Sequence, residues 1–163
     1  MAIDNDDISR TSSSFEQPLE LIFPASAEWV SVVRLATAGV ASRLGFTYDE
    51  VEDIKLAIAE ACNNAILHAR PVKDGRMMRV QWLPRDWQLE ISVIDDGSLN
   101  PHELPLTEPK KELTELPESG MGLLLMEALM DEVEQTTTPD GNTMMRMIKR
   151  LSIDSNIKLG SIS

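Results

Sequence analysis

The stretch Lys55-Leu56-Ala57-Ile58-Ala59-Glu60-Ala61-Cys62-Asn63-Asn64-Ala65-Ile66-Leu67-His68-Ala69 decides the fold. It holds no glycine or proline and is rich in Ala, Leu and Ile, so its backbone favours one long helix. Thr47 and Glu50 stand in capping-box spacing just after Gly45 and place the start near Tyr48. Arg70 marks the end, before Pro71 and the Asp74-Gly75 turn. From Val51 onward apolar side chains occupy nearly every side, which predicts burial in a core. Glu60 and Asn64 interrupt that pattern. Four residues apart, they share a face, and His68 extends the row by one turn. A carboxylate among Ile58, Ala59, Ala61 and Cys62 is costly to bury without a partner. The row either lines a cleft, where Asn64 offers its side-chain oxygen to a metal and Glu60 accepts a proton, or forms the solvated stripe of a two-faced helix. The helix by itself favours the stripe, since helical Glu and Asn usually face water.

Upstream, Leu19 to Phe23 is a short apolar run stopped by Pro24, an expected edge strand. Ser26 is placed to cap a first helix running to about Arg43. Trp29, Val33, Ala36, Val40 and Leu44 recur there at helical spacing, and Gly45 supplies the stop. Gly39 inside this helix points to close packing or mild strain. Arg34 lies off the apolar stripe, as either a partner contact or a solvated arginine.

Downstream, Met78, Val80 and Trp82 alternate with Arg79 and Gln81 in a strand from Met77 to Leu83. Leu89, Ile91 and Val93 alternate with Glu90 and Ser92 from Gln88 to Ile94, across a turn containing Pro84 and Asp86. Period-two alternation marks an antiparallel sheet with one covered face, and the two long helices can supply the cover. The second strand runs into Asp95-Asp96-Gly97. From Ser98 to Glu118, four prolines and many charges predict a long, mobile loop, and a loop of that length is usually functional or disordered. Ser119-Gly120-Met121-Gly122 opens a helix, Leu123 to about Met130. Val133 to Thr137 and Thr143 to Lys149 form a last hairpin turned by Pro139-Asp140-Gly141-Asn142. Residues 1–17 and 151–163 are expected to be tails, the first disordered, around one domain at 18–150. The order of elements predicts an α+β two-layer sandwich: one mixed, mostly antiparallel sheet with helices on one face.

Composition narrows the partners. With 15 basic and 27 acidic side chains the net charge is −12 over 163 residues. That argues against nucleic acid, whose phosphates would be repelled, and against an anionic membrane surface, while permitting a partner that is basic at its contact. The lone Cys62 can form neither an internal disulfide nor a cysteine metal cluster and fits a reducing cytoplasm. No apolar run approaches the ~18 residues of a membrane span, and the acidic N-terminus has no signal-peptide pattern.

Three separated pieces can meet at one end of such a sandwich: Glu60 and Asn64 on the long helix, Asp95 and Gly97 at a strand end, and Gly120 and Gly122 at a helix start. A helix N-terminus presents free N–H groups and partial positive charge, and glycines let a phosphate approach. Asp95 can accept a hydrogen bond from an exocyclic amine such as adenine's, with Gly97 leaving room for a flat ring. Asn64 with oxygen-preferring Mg²⁺ would tie the phosphate chain together, leaving Glu60 to take a proton from an attacking hydroxyl. Taken singly, Asp-Asp-Gly is usually a turn and Gly-x-Gly a tight connection. A P-loop is absent, and no strand–helix–strand series surrounds the glycines as a dinucleotide fold requires.

In this order the pieces resemble the nucleotide site of the GHKL (Bergerat-fold) ATPase/kinase superfamily. Glu60-Ala61-Cys62-Asn63-Asn64-Ala65-Ile66-Leu67-His68-Ala69 looks like its N box. Val93 to Gly97 and Ser119 to Glu127 look like its two glycine boxes, and 98–119 like its ATP lid. The run from Arg34 to Cys62, and Leu125 to Val133, is similar to the RsbW-type anti-sigma factors and serine-protein kinases. The resemblance covers roughly Leu19 to Lys149. It implies that Glu60 is the general base and Asn64 the Mg²⁺-binding asparagine. It further implies that Asp95 and Gly97 meet adenine, that Ser119, Gly120, Met121 and Gly122 face the phosphates, that Thr143 lies near the adenine, and that Arg34 grips a sigma factor. The implied function is a cytoplasmic, homodimeric kinase. It uses ATP and Mg²⁺ to phosphorylate a serine or threonine of an anti-sigma-factor antagonist, and it sequesters a general-stress sigma factor. The lid departs from the family pattern. Ser98-Leu99-Asn100-Pro101 replaces the second glycine of D-x-G-x-G, and Lys110 and Lys111 are the basic residues where an arginine is expected. An ATP-binding anti-sigma module without phosphoryl transfer is the alternative.

Overall fold

The structure is a computed structural model that describes residues 17–68, 76–95, 119–139 and 141–152. Of the expected tails at 1–17 and 151–163 and the expected lid at 98–119, all but residues 17, 119, 151 and 152 lie outside the described residues, as does Gly97. Among the described residues, five strands and three α-helices follow in the order β1 (Leu19–Pro24), α1 (Val30–Leu44), α2 (Tyr48–His68), β2 (Met77–Arg85), β3 (Gln88–Asp95), α3 (Ser119–Leu129), β4 (Glu132–Thr137) and β5 (Thr143–Arg150). The strands lie side by side as β1-β2-β3-β5-β4. Every pairing is antiparallel, so the sheet is not mixed as expected.

Strand periodicity sorts the sheet into two faces. Met78, Val80 and Trp82 of β2, Leu89, Ile91 and Val93 of β3, and Met145 and Met147 of β5 are buried in one core with α1 and α2. The other face carries charge: Arg146 donates from Nε to Glu90 at 2.9 Å and lies 3.6 Å from Glu134. The bond from Arg146 holds the Glu90 carboxyl below the usual carboxylate range, against the upward pull of burial. The covered face, rich in β-branched and long apolar side chains, requires helices over it; the charged face requires none.

The capping box at α2 forms as its spacing predicts. The Thr47 N–H donates to Glu50 Oε2 at 2.7 Å, and the Glu50 N–H donates to Thr47 Oγ1 at 3.3 Å. Gly45 ends α1 in the left-handed conformation at φ 91°, which suits a residue without Cβ.

The α1 stripe differs from expectation. A 3₁₀ turn at Ala27–Trp29 precedes the helix, and Ser26 makes no side-chain capping bond there. Trp29, in that turn, is 41% exposed, whereas Ala36, Val40 and Leu44 of the expected stripe are partly buried against the core beside the fully buried Val30, Val33, Thr37 and Ala41. Thr37 is a core residue because its hydroxyl is satisfied twice. It donates to the Val33 carbonyl at 2.7 Å and accepts from Trp82 Nε1 at 3.0 Å. This link joins α1 to β2 inside the core. Gly39 is exposed, with nothing within 4 Å of where a Cβ would stand, so neither close packing nor strain accounts for it.

Pro84 lies within β2 opposite Leu89, and the turn itself is Asp86-Trp87, with Trp87 in the left-handed region at φ 65°. The last hairpin closes through Gly141 at φ 84°, whose N–H donates to the Thr138 carbonyl at 2.9 Å. Among the described residues no helix is long and apolar enough to cross a membrane.

Two measurements test this account. Thr37→Val strips the indole N–H of its buried acceptor, so thermal or denaturant unfolding should report a loss of about 1–3 kcal/mol, whereas Thr37→Ser keeps most of it. Glu50 is held below its ordinary value of 4.5: burial raises it, and hydrogen bonds from Thr47 and Ser152 outweigh that. Its stabilising contribution is therefore complete above about pH 4.5 and is lost as pH falls through the lowered value. In a pH series of melting temperatures, Glu50→Gln should lie below the parent near neutrality and converge with it in acid.

Candidate active site

The α2 row is neither fully solvated nor fully buried. Val51, Ile54, Ala57, Ile58, Ala61 and Cys62 are buried, whereas Glu60 and Asn64 are half-buried. The reason is a third neighbour: α3 packs on α2. Its Gly122 comes so close that a Cβ there would stand 3.1 Å from Glu60 Oε2 and 3.2 and 3.3 Å from Asn64 Nδ2 and Oδ1. A side chain would press on both polar groups, so glycine is what lets the first turn of α3 reach them. That turn begins at Ser119, four residues before the expected start of the apolar run, and includes Gly120, Met121 and Gly122. Met121 is 76% exposed, while Gly122 is buried.

Asp95 ends β3 on the covered face, in register with Met78. Arg76 grips it: Nε donates to Oδ1 at 2.8 Å and Nη2 to Oδ2 at 2.7 Å. The same Nη2 donates to the Ala65 carbonyl on α2 at 2.7 Å. One guanidinium thus ties the strand end to the residue that follows Asn64. The pair is largely withdrawn from water, with the arginine side chain 9% and the aspartate 20% exposed. Charge-assisted, two-point bonding of this kind is geometrically demanding as well as strong.

Thr143 is exposed at the start of β5. The β3–β5 register pairs Ile94 with Met144, and one further step sets Thr143 opposite Asp95. Arg34 is exposed on α1 and belongs to no part of this cluster. Burial pushes the Cys62 thiol up to about 12, so it stays protonated and is neither nucleophile nor ligand. Among the described residues no three His, Cys, Asp or Glu side chains gather to hold a metal by themselves. The side-chain oxygen of Asn64 is of the kind that suits a hard cation whose other ligands come from phosphate and water.

Of the residues singled out in the sequence, Glu60, Asn64 and Gly122 come together, and Asp95 is joined to the same helix through Arg76. Arg76 itself was missed. In the sequence it falls between the expected Asp74-Gly75 turn, which lies outside the described residues, and the first residue of β2, where neither helical nor strand periodicity assigns a role. The signal was the hairpin register: with Met78 opposite Asp95, Arg76 sits two residues on along the same face, a diagonal neighbour.

Known proteins are similar to this chain. The model of the histidine kinase-like ATPase domain family matches residues 23–149. The serine-protein kinase RsbW of Bacillus pumilus is 38% identical over 149 residues, covering 83% of this chain and 89% of that protein. RsbW of Bacillus subtilis is 40% identical over 120 residues, covering 71% of this chain and 75% of that protein. A crystal structure of the RsbU and RsbW domains of a Mycobacterium tuberculosis protein superposes with TM-score 0.56 at 23% identity, over 83% of this chain and 32% of the other, a likeness of fold. With its antiparallel sheet under three helices and these relatives, the chain belongs to the histidine kinase-like ATPase family and, within it, to the RsbW serine-protein kinases.

Proposed function

We propose that this chain is an ATP-dependent serine/threonine-protein kinase and anti-sigma factor, which phosphorylates an anti-sigma-factor antagonist and sequesters a stress-type sigma factor. The observation that carries the catalytic part is the approach of the α3 N-terminal turn to Glu60 and Asn64, at 3.1 to 3.3 Å from a Cβ on Gly122. Glu60, Asn64 and the first turn of α3 thereby share one small volume, which supports the roles of base, oxygen donor and phosphate cradle. The names of the RsbW relatives support the reaction class.

Each group then has a task. Asp95 accepts the hydrogen bond of the adenine amine, with Gly97 beside the ring and Thr143 on the neighbouring strand. The first turn of α3, from Ser119 to Gly122, offers N–H groups and the positive end of its dipole to the phosphates. Asn64 would hold Mg²⁺ through its side-chain oxygen; that ion neutralises phosphate charge when bound. Glu60 takes the proton from the serine or threonine hydroxyl of the antagonist. The hydroxyl oxygen then bonds to the γ-phosphorus as the bond to the ADP oxygen breaks, in line. Arg34, exposed on α1, is assigned to the sigma factor. The acidic surface, at net charge −12, suits a partner that is basic where it touches. A homodimer in the cytoplasm completes the proposal.

A second reading is favoured by one observation: residues 98–118 contain Lys110 and Lys111 but no arginine to reach the terminal phosphate. On that reading the chain binds ATP and sigma factor without transferring phosphate. Incubation with labelled ATP and the antagonist separates the two, since label on the antagonist supports the kinase and its absence the binding module.

Glu60→Gln should lower phosphoryl transfer by about 10²–10⁴-fold, the worth of a positioned base, with nucleotide affinity retained. Transfer at the native rate would remove Glu60 from that role. Asn64→Ala should weaken nucleotide binding in the presence of Mg²⁺ and leave metal-free binding nearly unchanged, as read by calorimetric titration with and without the ion.

A further inference from the structure

We propose that Arg76 is a positioning residue for base recognition. It locks the Asp95 carboxylate in the orientation that accepts an exocyclic amine, and so sets a preference for amino-purine over oxo-purine nucleotides. The inference rests on the assignment of Asp95 to the base given above.

An aspartate carboxylate turns about a broad, roughly two-fold torsion and would otherwise sample many orientations. Here the Nε and Nη2 donors of Arg76 engage both oxygens, at 2.8 and 2.7 Å, and fix the plane of the carboxylate. With the carboxylate plane fixed, the directions of its lone pairs are defined. Arg76 is itself held at both ends. Its carbonyl accepts from the Ala25 N–H at 2.9 Å, and its Nη2 donates to the Ala65 carbonyl at 2.7 Å. The last turn of α2 also favours a cation on electrostatic grounds. The guanidinium, 9% exposed, therefore transmits the positions of a strand end and a helix end to one carboxylate. Lysine cannot do this, because an ammonium is a point charge without a planar fork.

The test compares ADP with inosine 5′-diphosphate, which carries a carbonyl where ADP carries the amine. Affinities are measured by calorimetry for the full chain, Arg76→Gln, Arg76→Lys, Asp95→Asn and the Arg76→Gln/Asp95→Asn double variant. The parent should prefer ADP by about tenfold or more, the worth of a hydrogen bond to a charged acceptor. Arg76→Gln should lose most of that preference through weaker ADP binding alone, with inosine diphosphate affinity unchanged. Retained inosine diphosphate binding also certifies that the variant is folded. Arg76→Lys should fall between the two, and Arg76→Gln should change nothing further once Asp95 is Asn. Undiminished preference in Arg76→Gln overturns the proposal, as does tighter ADP binding, which would make Arg76 a competitor of the base. If Arg76→Gln does not fold, full preference in Arg76→Lys overturns it. A parent with no preference overturns the assignment of Asp95, and this proposal with it, and is thereby distinct from a failure of Arg76 alone.

Discussion

Three surfaces compete for one helix. Helix α2 packs against α1, against α3 and against the sheet at once. Ile54, Ala57, Ile58, Ala61 and Cys62 leave water almost completely. Each large apolar side chain so buried contributes about 1.5–3 kcal/mol relative to exposure, which fixes the rotation of the helix about its axis. With rotation fixed, the direction of Glu60 and Asn64 follows. They face the seam with α3, where the absence of a side chain at Gly122 leaves just enough room. Burial of the apolar face thus aims two polar groups that would otherwise prefer bulk water.

Charge is placed by the same division of surfaces. On the open face of the sheet, Arg146, at 32% exposed, reaches the exposed Glu134 and engages both oxygens of the half-buried Glu90. On the covered face the charge pair Arg76–Asp95 is largely withdrawn from water and further bonded to a helix carbonyl. Removing one partner of a pair so placed leaves an uncompensated charge. Its position at the junction of β2, β3 and α2 makes it part of the site's geometry rather than a surface ornament. The Thr37–Trp82 bond does comparable work at the α1 side of the core, where a hydroxyl replaces an aliphatic group because an indole N–H needs an acceptor.

The differences between expectation and structure have local causes. Trp29 was assigned to the buried stripe because helical spacing was extended back to it. The 3₁₀ turn at Ala27–Trp29 has a different period and leaves Trp29 exposed, while Val33, Ala36, Val40 and Leu44 still pack on the core. The sheet was expected to be mixed and mostly antiparallel. The β1–β2 pairing is nevertheless antiparallel, since α1 and α2 form a helical hairpin that returns the chain to the side from which it left. The start of α3 was placed too late because two glycines are poor helix formers. Packing against α2 outweighs that penalty.

The order of elements, the capping box, the αL stop at Gly45 and the residue types of the site were legible in the chain alone. Each depends on neighbours a few positions apart, and the family resemblance added the roles that such types imply. Contacts between distant segments were decided only by the tertiary structure: Thr37 as a core residue, Gly122 against the α2 row, and Arg76 holding Asp95. Those contacts depend on how α1, α2 and α3 are rotated against the sheet. Rotation is set by the summed burial of many side chains, a quantity that no single stretch of sequence contains.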